Sequence, residues 1–285
     1  MQDRLKITLL LAPAVIAIGM LFFGGLGIGL LRSVNYMPII GLTEPNLDAY
    51  RAILTAPEVY RSFGLTFYIA ATSTLIATVL AVATALLLRC QFRGRAVANF
   101  LVHLNLTIPH LVGAIGILYL FSQSGSFARA AYGLGLIDIP ANFPALIFDP
   151  YAIGIILTYV WKELPFITLI LLANMQTIGD DPETVARTLG ASRLQAFRHV
   201  LLPQIMPGLV SASAIVFAFI FGAYEVPALL GASSPQTLPV MAYRSFTDTD
   251  LASRPQAMAI AMLIAVVSVV MIAAYTRVLR AKRCA

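Results

Sequence analysis

Few side chains in this 285-residue chain have the types and spacing for chemistry, and those stand in apolar surroundings. His103, Asn105, Thr107 and His110 gather around Pro109. Tyr159, Trp161, Lys162 and Glu163 precede Pro165, and Tyr224 and Glu225 precede Pro227. An ionisable group inside an apolar segment is costly and is by default a functional candidate. Glu163 and Glu225, with Tyr159, Trp161 and Tyr224, combine carboxylates with aromatic faces, a pairing that holds ammonium groups. These five are candidates to face a central pathway between the apolar segments. The competing reading of Glu163 is a structural ion pair with Lys162 or with a residue on another helix. Adjacent helical residues diverge by about 100°, so Lys162 is a poor partner. The histidines read as hydrogen-bonding groups between helices rather than metal ligands. Cys90 and Cys284 are isolated and lack metal-type spacing. No nucleophile–base constellation, acid/base pair or Gly-x-x-x-x-Gly-Lys-Ser/Thr phosphate loop occurs in the sequence. The expectation is a non-enzymatic chain with no catalytic, cofactor-binding or metal-binding residue of its own.

The elements that must position these residues are membrane helices. The sequence is 59% hydrophobic and 11% charged, against about 25% charged in soluble domains. A bilayer core needs roughly 20 apolar residues in a helix. Six segments qualify: 7–31, 63–88, 96–121, 151–175, 207–230 and 256–276. The first is too long for a signal-peptide core of roughly 7–15 residues and reads as a span. With the N-terminus inside, twelve of the 19 basic residues fall in inner segments against four acids, while six basic and seven acidic residues fall outside. The short loop from Arg89 to Arg95 is the clearest vote. Arg4, Lys6, Arg280, Lys282 and Arg283 place both termini on the same inner side. The net charge of +6 therefore reflects membrane orientation rather than nucleic-acid binding. Both cysteines then face a reducing compartment and no disulfide is expected. The expected fold is an all-α membrane protein of six transmembrane helices with both termini cytoplasmic, in one membrane domain over 1–285. Three proline-containing outer loops read as connectors or caps to a pathway.

One inner segment is a polar island, from Asp180 to Pro207. Asp181 can cap a helix, Pro182 suits its first position, and Glu183 complements its dipole. The spacing predicts a helix over 182–189 with Val185, Ala186 and Leu189 on one face, stopped by Gly190 in the left-handed conformation. Ser192 can cap a second helix from Arg193 to about Leu202, with Leu194, Phe197 and Leu201 as its apolar stripe. Pro203 is expected to end it, and Pro207 to help start the next span. A short, mildly amphipathic first helix fits a groove on another protein. The bland alternative is a connector lying on the membrane surface.

The island resembles the permease signature of bacterial ABC importers, which reads Glu-Ala-Ala, three residues, Gly, nine residues, Ile-x-Leu-Pro. Counted from Gly190, its first three positions hold Thr184, Val185 and Ala186, and its tail is Val200-Leu201-Leu202-Pro203. Thr184 stands where the signature has glutamate, with Glu183 one residue earlier. The likeness covers about 60–276. Within the family, the length, the 133–140 segment and Trp-x-x-Leu-Pro-Phe at 161–166 look most like the spermidine/putrescine group.

The resemblance implies a type I importer fold whose cytoplasmic coupling loop, about 180–206, docks on an ATPase subunit. Glu183, Thr184, Val185, Ala186, Arg187, Leu189, Gly190 and Pro203 would be its coupling residues. It further implies two cytoplasmic ATPase subunits that hold ATP and Mg, a second, related but different permease chain, and a periplasmic substrate-binding protein. The complex would sit in the bacterial inner membrane and import a small polar solute, with a polyamine as the expectation. The competing class is an ion-coupled secondary transporter or channel subunit using Glu163, Glu225 and His110.

Overall fold

A computed structural model describes residues 2–179 and 181–281. Asp180, Lys282, Arg283 and Cys284 lie outside the described residues, as do the side chains of Arg4 and Arg280. The chain is helical. In order its α-helices are α1 (Gln2–Ser33), α2 (Asp48–Thr55), α3 (Pro57–Arg89), α4 (Arg95–Thr107), α5 (His110–Phe121), α6 (Ser126–Gly133), α7 (Ile153–Ile178), α8 (Asp181–Thr188), α9 (Arg193–Ala196), α10 (Leu202–Gly222), α11 (Glu225–Leu230), α12 (Leu238–Thr247) and α13 (Arg254–Ala281). Among the described residues, six helical stretches are long and apolar enough to cross a membrane.

Two compact units form. The first joins Met1–Arg61 to Leu238–Val266. Within it, the span Leu9–Ser33 of α1 is largely unburied, Gly29 and Ser33 excepted, as suits a helix facing lipid. Its last turn is anchored where Ser33 Oγ donates to the Leu30 carbonyl and lies 2.9 Å from the Tyr50 hydroxyl on α2. Ala49 and Ile53, one turn apart on α2, are buried, so a segment read from sequence as loop holds an amphipathic helix.

The second unit joins Ser62–Thr237 to Val267–Ala285. Its centre is the packing of α7 against α10, where Ile155, Ile167, Leu171, Ile205, Val216 and Phe221 are almost wholly buried. Gly208 lies against the Asn174 side-chain amide there, and a Cβ at that position would push the amide aside. Along α3, Ala70, Ala77, Ala81 and Ala85 have no exposed surface. Small residues at helical spacing let membrane helices approach closely. Thr78 and Ser213 hydrogen-bond from α3 to α10 at 2.9 Å, a polar contact of the kind that holds helices together without water.

Two expected spans are corrected. The third was expected as one helix over 96–121. It breaks at Ile108–Pro109 into α4 and α5, and the qualifying stretch is His110–Gly133. Pro109 removes a donor and drives the preceding residue out of the helical region, and Ile108 is extended, with ψ of 123°. The fifth was expected over 207–230. It begins earlier and α10 ends at Gly222, with extended Ala223 separating it from α11. Pro165 lies inside α7 without breaking it.

Candidate functional site

The polar island folds as two helices around a sharp corner. α8 opens at Asp181, one residue earlier than expected, with Pro182 in its first turn. It closes with two backbone bonds: Gly190 N–H donates to the Arg187 carbonyl at 3.1 Å and Ala191 N–H to the Ala186 carbonyl at 3.0 Å. This pair is the glycine stop of the Schellman type. Gly190 has φ of +95°, a conformation that penalises any Cβ. Ser192 then caps α9, with Gln195 N–H donating to its Oγ and Ser192 N–H donating to Gln195 Oε1, a reciprocal capping box.

Pro203 does not end the second helix, contrary to expectation. α9 runs through a π-helical turn, Phe197–Leu201, directly into α10. The Leu202 N–H bonds the Phe197 carbonyl. A proline in a helix lacks a donor and crowds the carbonyl four residues back. The wider turn relieves both. Likewise Pro207 lies inside α10 rather than at its start.

The corner is held to the membrane body by one side chain that sequence reasoning did not assign. Arg89, at the end of α3, pairs with Glu183 at 2.5 Å and donates from Nη2 to the Gly179 carbonyl at 3.3 Å. This contact puts the Arg89–Arg95 loop and the island on one face, as the charge pattern predicted. Cys90, in that loop, is exposed. Glu183 is half-buried and turned inward, whereas Val185 and Leu189 are 57% and 84% exposed. Thr184, Arg187, Gly190 and Pro203 are also exposed, and Ala186 is partly so. In the second helix only part of the expected stripe is inward: Leu201 is buried, Phe197 is half-buried and Leu194 is exposed.

The polar groups of the spans form a second site around α4, α5 and α7. Pro109 and Pro165 each leave a carbonyl without its usual helical partner, those of Asn105 and Trp161. Lys162 Nζ donates to the Asn105 carbonyl at 2.6 Å and to the Ile108 carbonyl at 2.6 Å. Asn105 Nδ2 donates to the Trp161 carbonyl at 2.6 Å. The carbonyls freed by the two prolines thus find donors on the facing helix, as nonpolar surroundings demand. Lys162 is 3% exposed. Glu163 points elsewhere and meets His110 Nε2 at 2.9 Å. The His110 ring lies 5.0 Å from that of Phe219.

Of the five candidate pathway residues, Tyr159 and Glu163 are buried in α7, with the Tyr159 hydroxyl making no hydrogen bond. Trp161 and Tyr224 are 39% and 36% exposed, and Glu225, the first residue of α11, is exposed. Helices α5, α7 and α11 pack together. The sequence signal for the Lys162 and Asn105 roles is the placement of each open carbonyl four residues before a proline.

Comparison with known proteins fits this geometry. The profile of the family described as "Binding-protein-dependent transport system inner membrane component" matches residues 74–283. The chain belongs to this family. The molybdenum transport system permease protein ModB of Mycobacterium bovis is 30% identical over 83% of the chain and 86% of its own length. The sulfate transport system permease protein CysT of Salmonella typhimurium is 25% identical over 82% of the chain and 81% of its own length. The trehalose/maltose permease protein MalF of Thermococcus litoralis is 29% identical over 73% of the chain and 69% of its own length. The fold matches that of a bacterial ABC transporter involved in alginate import, with a TM-score of 0.81 at 21% identity, over 98% of this chain and 96% of that one.

The chain is therefore a permease subunit of an ABC importer, a multi-pass protein of the inner membrane, and hydrolysis of ATP belongs to another chain. The ion-coupled reading is set aside. The narrower likeness to the spermidine/putrescine group is not what these relatives' names give, since they specify molybdenum, sulfate and trehalose/maltose.

Proposed function

We propose that the α8–Gly190–α9 corner docks this permease on a cytoplasmic ATPase subunit, one of two in the complex that carry ATP and Mg. A second, related permease chain and a periplasmic binding protein complete the complex. The observation that carries this reading is the exposure of Val185 and Leu189 on a helix whose own end is rigidly closed. Apolar side chains held out on a short helix suit a groove on a partner. Thr184 occupies the place of the usual signature glutamate, and Glu183 is engaged by Arg89. Docking then rests on shape and apolar contact rather than on an acidic side chain. Gly190→Val tests this: transport and solute-stimulated ATP hydrolysis of the reconstituted complex are lost while the chain still inserts in the membrane. Normal coupled transport by that variant overturns the reading.

For the solute, a small oxyanion is the first assignment. It is supported by relatives named for molybdenum and sulfate and by the engagement of Glu163 with His110, which removes a carboxylate from cation binding. A polyamine is the second assignment, favoured by exposed Glu225 beside Tyr224. Uptake of labelled molybdate, sulfate and putrescine by the complex, with its own binding protein, separates them. Putrescine uptake that falls in Glu225→Gln, with neither oxyanion transported, reverses the order.

A further inference from the structure

We propose that the inner ends of α3, α4 and α7 form a binding site for a phosphate-type anion. A cavity of 250 Å³ opens there, lined by Arg89, Arg95, Leu172, Met175, Gln176 and Gly179. It is several times the share of one water molecule, about 30 Å³. Two guanidinium groups and one amide face it, and no carboxylate is among the described residues that line it. Arg89 already has partners in Glu183 and the Gly179 carbonyl. Arg95 does not: its Nε is buried and makes no hydrogen bond. A buried donor without an acceptor costs about 1–3 kcal/mol, and a phosphate oxygen fits the planar fork of arginine.

The wall of the cavity points to where such an anion comes from. Half-buried Leu172 and buried Met175 line it near the end of a membrane span, so an apolar surface rises directly beside the basic groups. Basic pockets at the cytoplasmic side of membrane helices hold anionic lipid headgroups. A lipid phosphate and free inorganic phosphate share the same recognition chemistry. The site also bears on the island, because Arg89 lines the cavity and ties Glu183. An anion in the cavity competes with Glu183 for Arg89 and loosens the corner's attachment. This consequence for coupling rests on the function proposed above; binding itself does not.

Binding is read directly on the purified transporter complex. Native mass spectrometry after exchange into mixed phosphatidylglycerol and phosphatidylcholine compares retained lipid. Wild type is expected to retain phosphatidylglycerol preferentially, and Arg95→Gln to lower that retention about tenfold, the loss of one charge-assisted contact. Arg93→Gln, which removes an exposed charge from the same loop, leaves it unchanged. In detergent without anionic lipid, sodium phosphate is compared with sodium chloride at equal ionic strength. A rise in melting temperature with phosphate that Arg95→Gln abolishes identifies free phosphate as an occupant. Arg95→Lys, which keeps the charge and loses the fork, retains an intermediate level and serves if Arg95→Gln does not fold. Equal effects of Arg93→Gln and the Arg95 variants, or discrimination of neither probe by the Arg95 variants, overturn the proposal. Intact binding with unaltered ATP hydrolysis overturns only the link to coupling.

Discussion

The α8–α9 corner and the Lys162 cluster solve opposite problems with the same residue types. At the corner, charged and apolar side chains face outward from helices closed by their own caps. In the cluster, the carbonyls freed by Pro109 and Pro165 meet donors on another helix. The corner holds its shape with few ties to the rest of the second unit, the strongest being Arg89 to Glu183. The cluster spends its polar groups on ties between α4, α5 and α7. The difference teaches that polarity in this chain has two meanings. In the membrane it repairs backbone, and at the corner it leaves a surface open to a partner.

Variants break that comparison in graded ways. Lys162→Met strands the Ile108 carbonyl in an apolar setting and leaves the Asn105 carbonyl with only the Ile108 N–H at 3.3 Å, a loss of about 1–3 kcal/mol. A large fall in the melting temperature and yield of the complex is expected, and wild-type melting means that the ammonium is no structural tie. Gly208→Val drives a side chain into Asn174 and is expected to cost about 2 kcal/mol by overpacking, again seen in thermal melting. Glu163→Gln keeps a hydrogen bond to His110 and loses the charge, about 1.5 kcal/mol. Its measurement is uptake alongside melting: unaltered uptake with lower stability assigns Glu163 to structure alone. Ser192→Ala removes a cap worth about 1 kcal/mol locally. It should leave the melting of the complex unchanged and weaken retention of the ATPase subunit in pull-down. If it lowers melting as much as Gly208→Val does, the corner is part of the core and the contrast fails.

The corner was legible because its punctuation is local. Pro182, Gly190 and Ser192 each act within a turn of themselves, and the backbone follows them. The apolar spans were equally visible, through length alone. Prolines were harder. Pro109 breaks a helix, Pro165 sits inside one unbroken, and Pro203 sits in a continuous path, because the outcome depends on what surrounds the freed carbonyl. That surrounding is contributed by residues far away in sequence: Lys162 lies 54 residues from Ile108. The same distance hid the Arg89–Glu183 tie, although the divergence of Lys162 from Glu163 was foreseen. Helices such as α2 and α12 escaped because eight to ten residues carry too weak a period among prolines and turns.

The π-helical turn has a consequence for aim. From Arg193 to Gly222 the helical path covers 30 residues, about 45 Å of rod at 1.5 Å per residue. The extra residue in the turn sets the two ends of that rod about 100° out of phase with a plain α-helix. Deleting one residue from Phe197–Leu201 would turn the path into a plain α-helix and swing the Gly190 corner around it, with Ile205 and Leu209 still facing their own neighbours. The direction in which the corner looks is thus fixed by a residue count, and a torque applied there travels along a single stiff axis into the centre of the span.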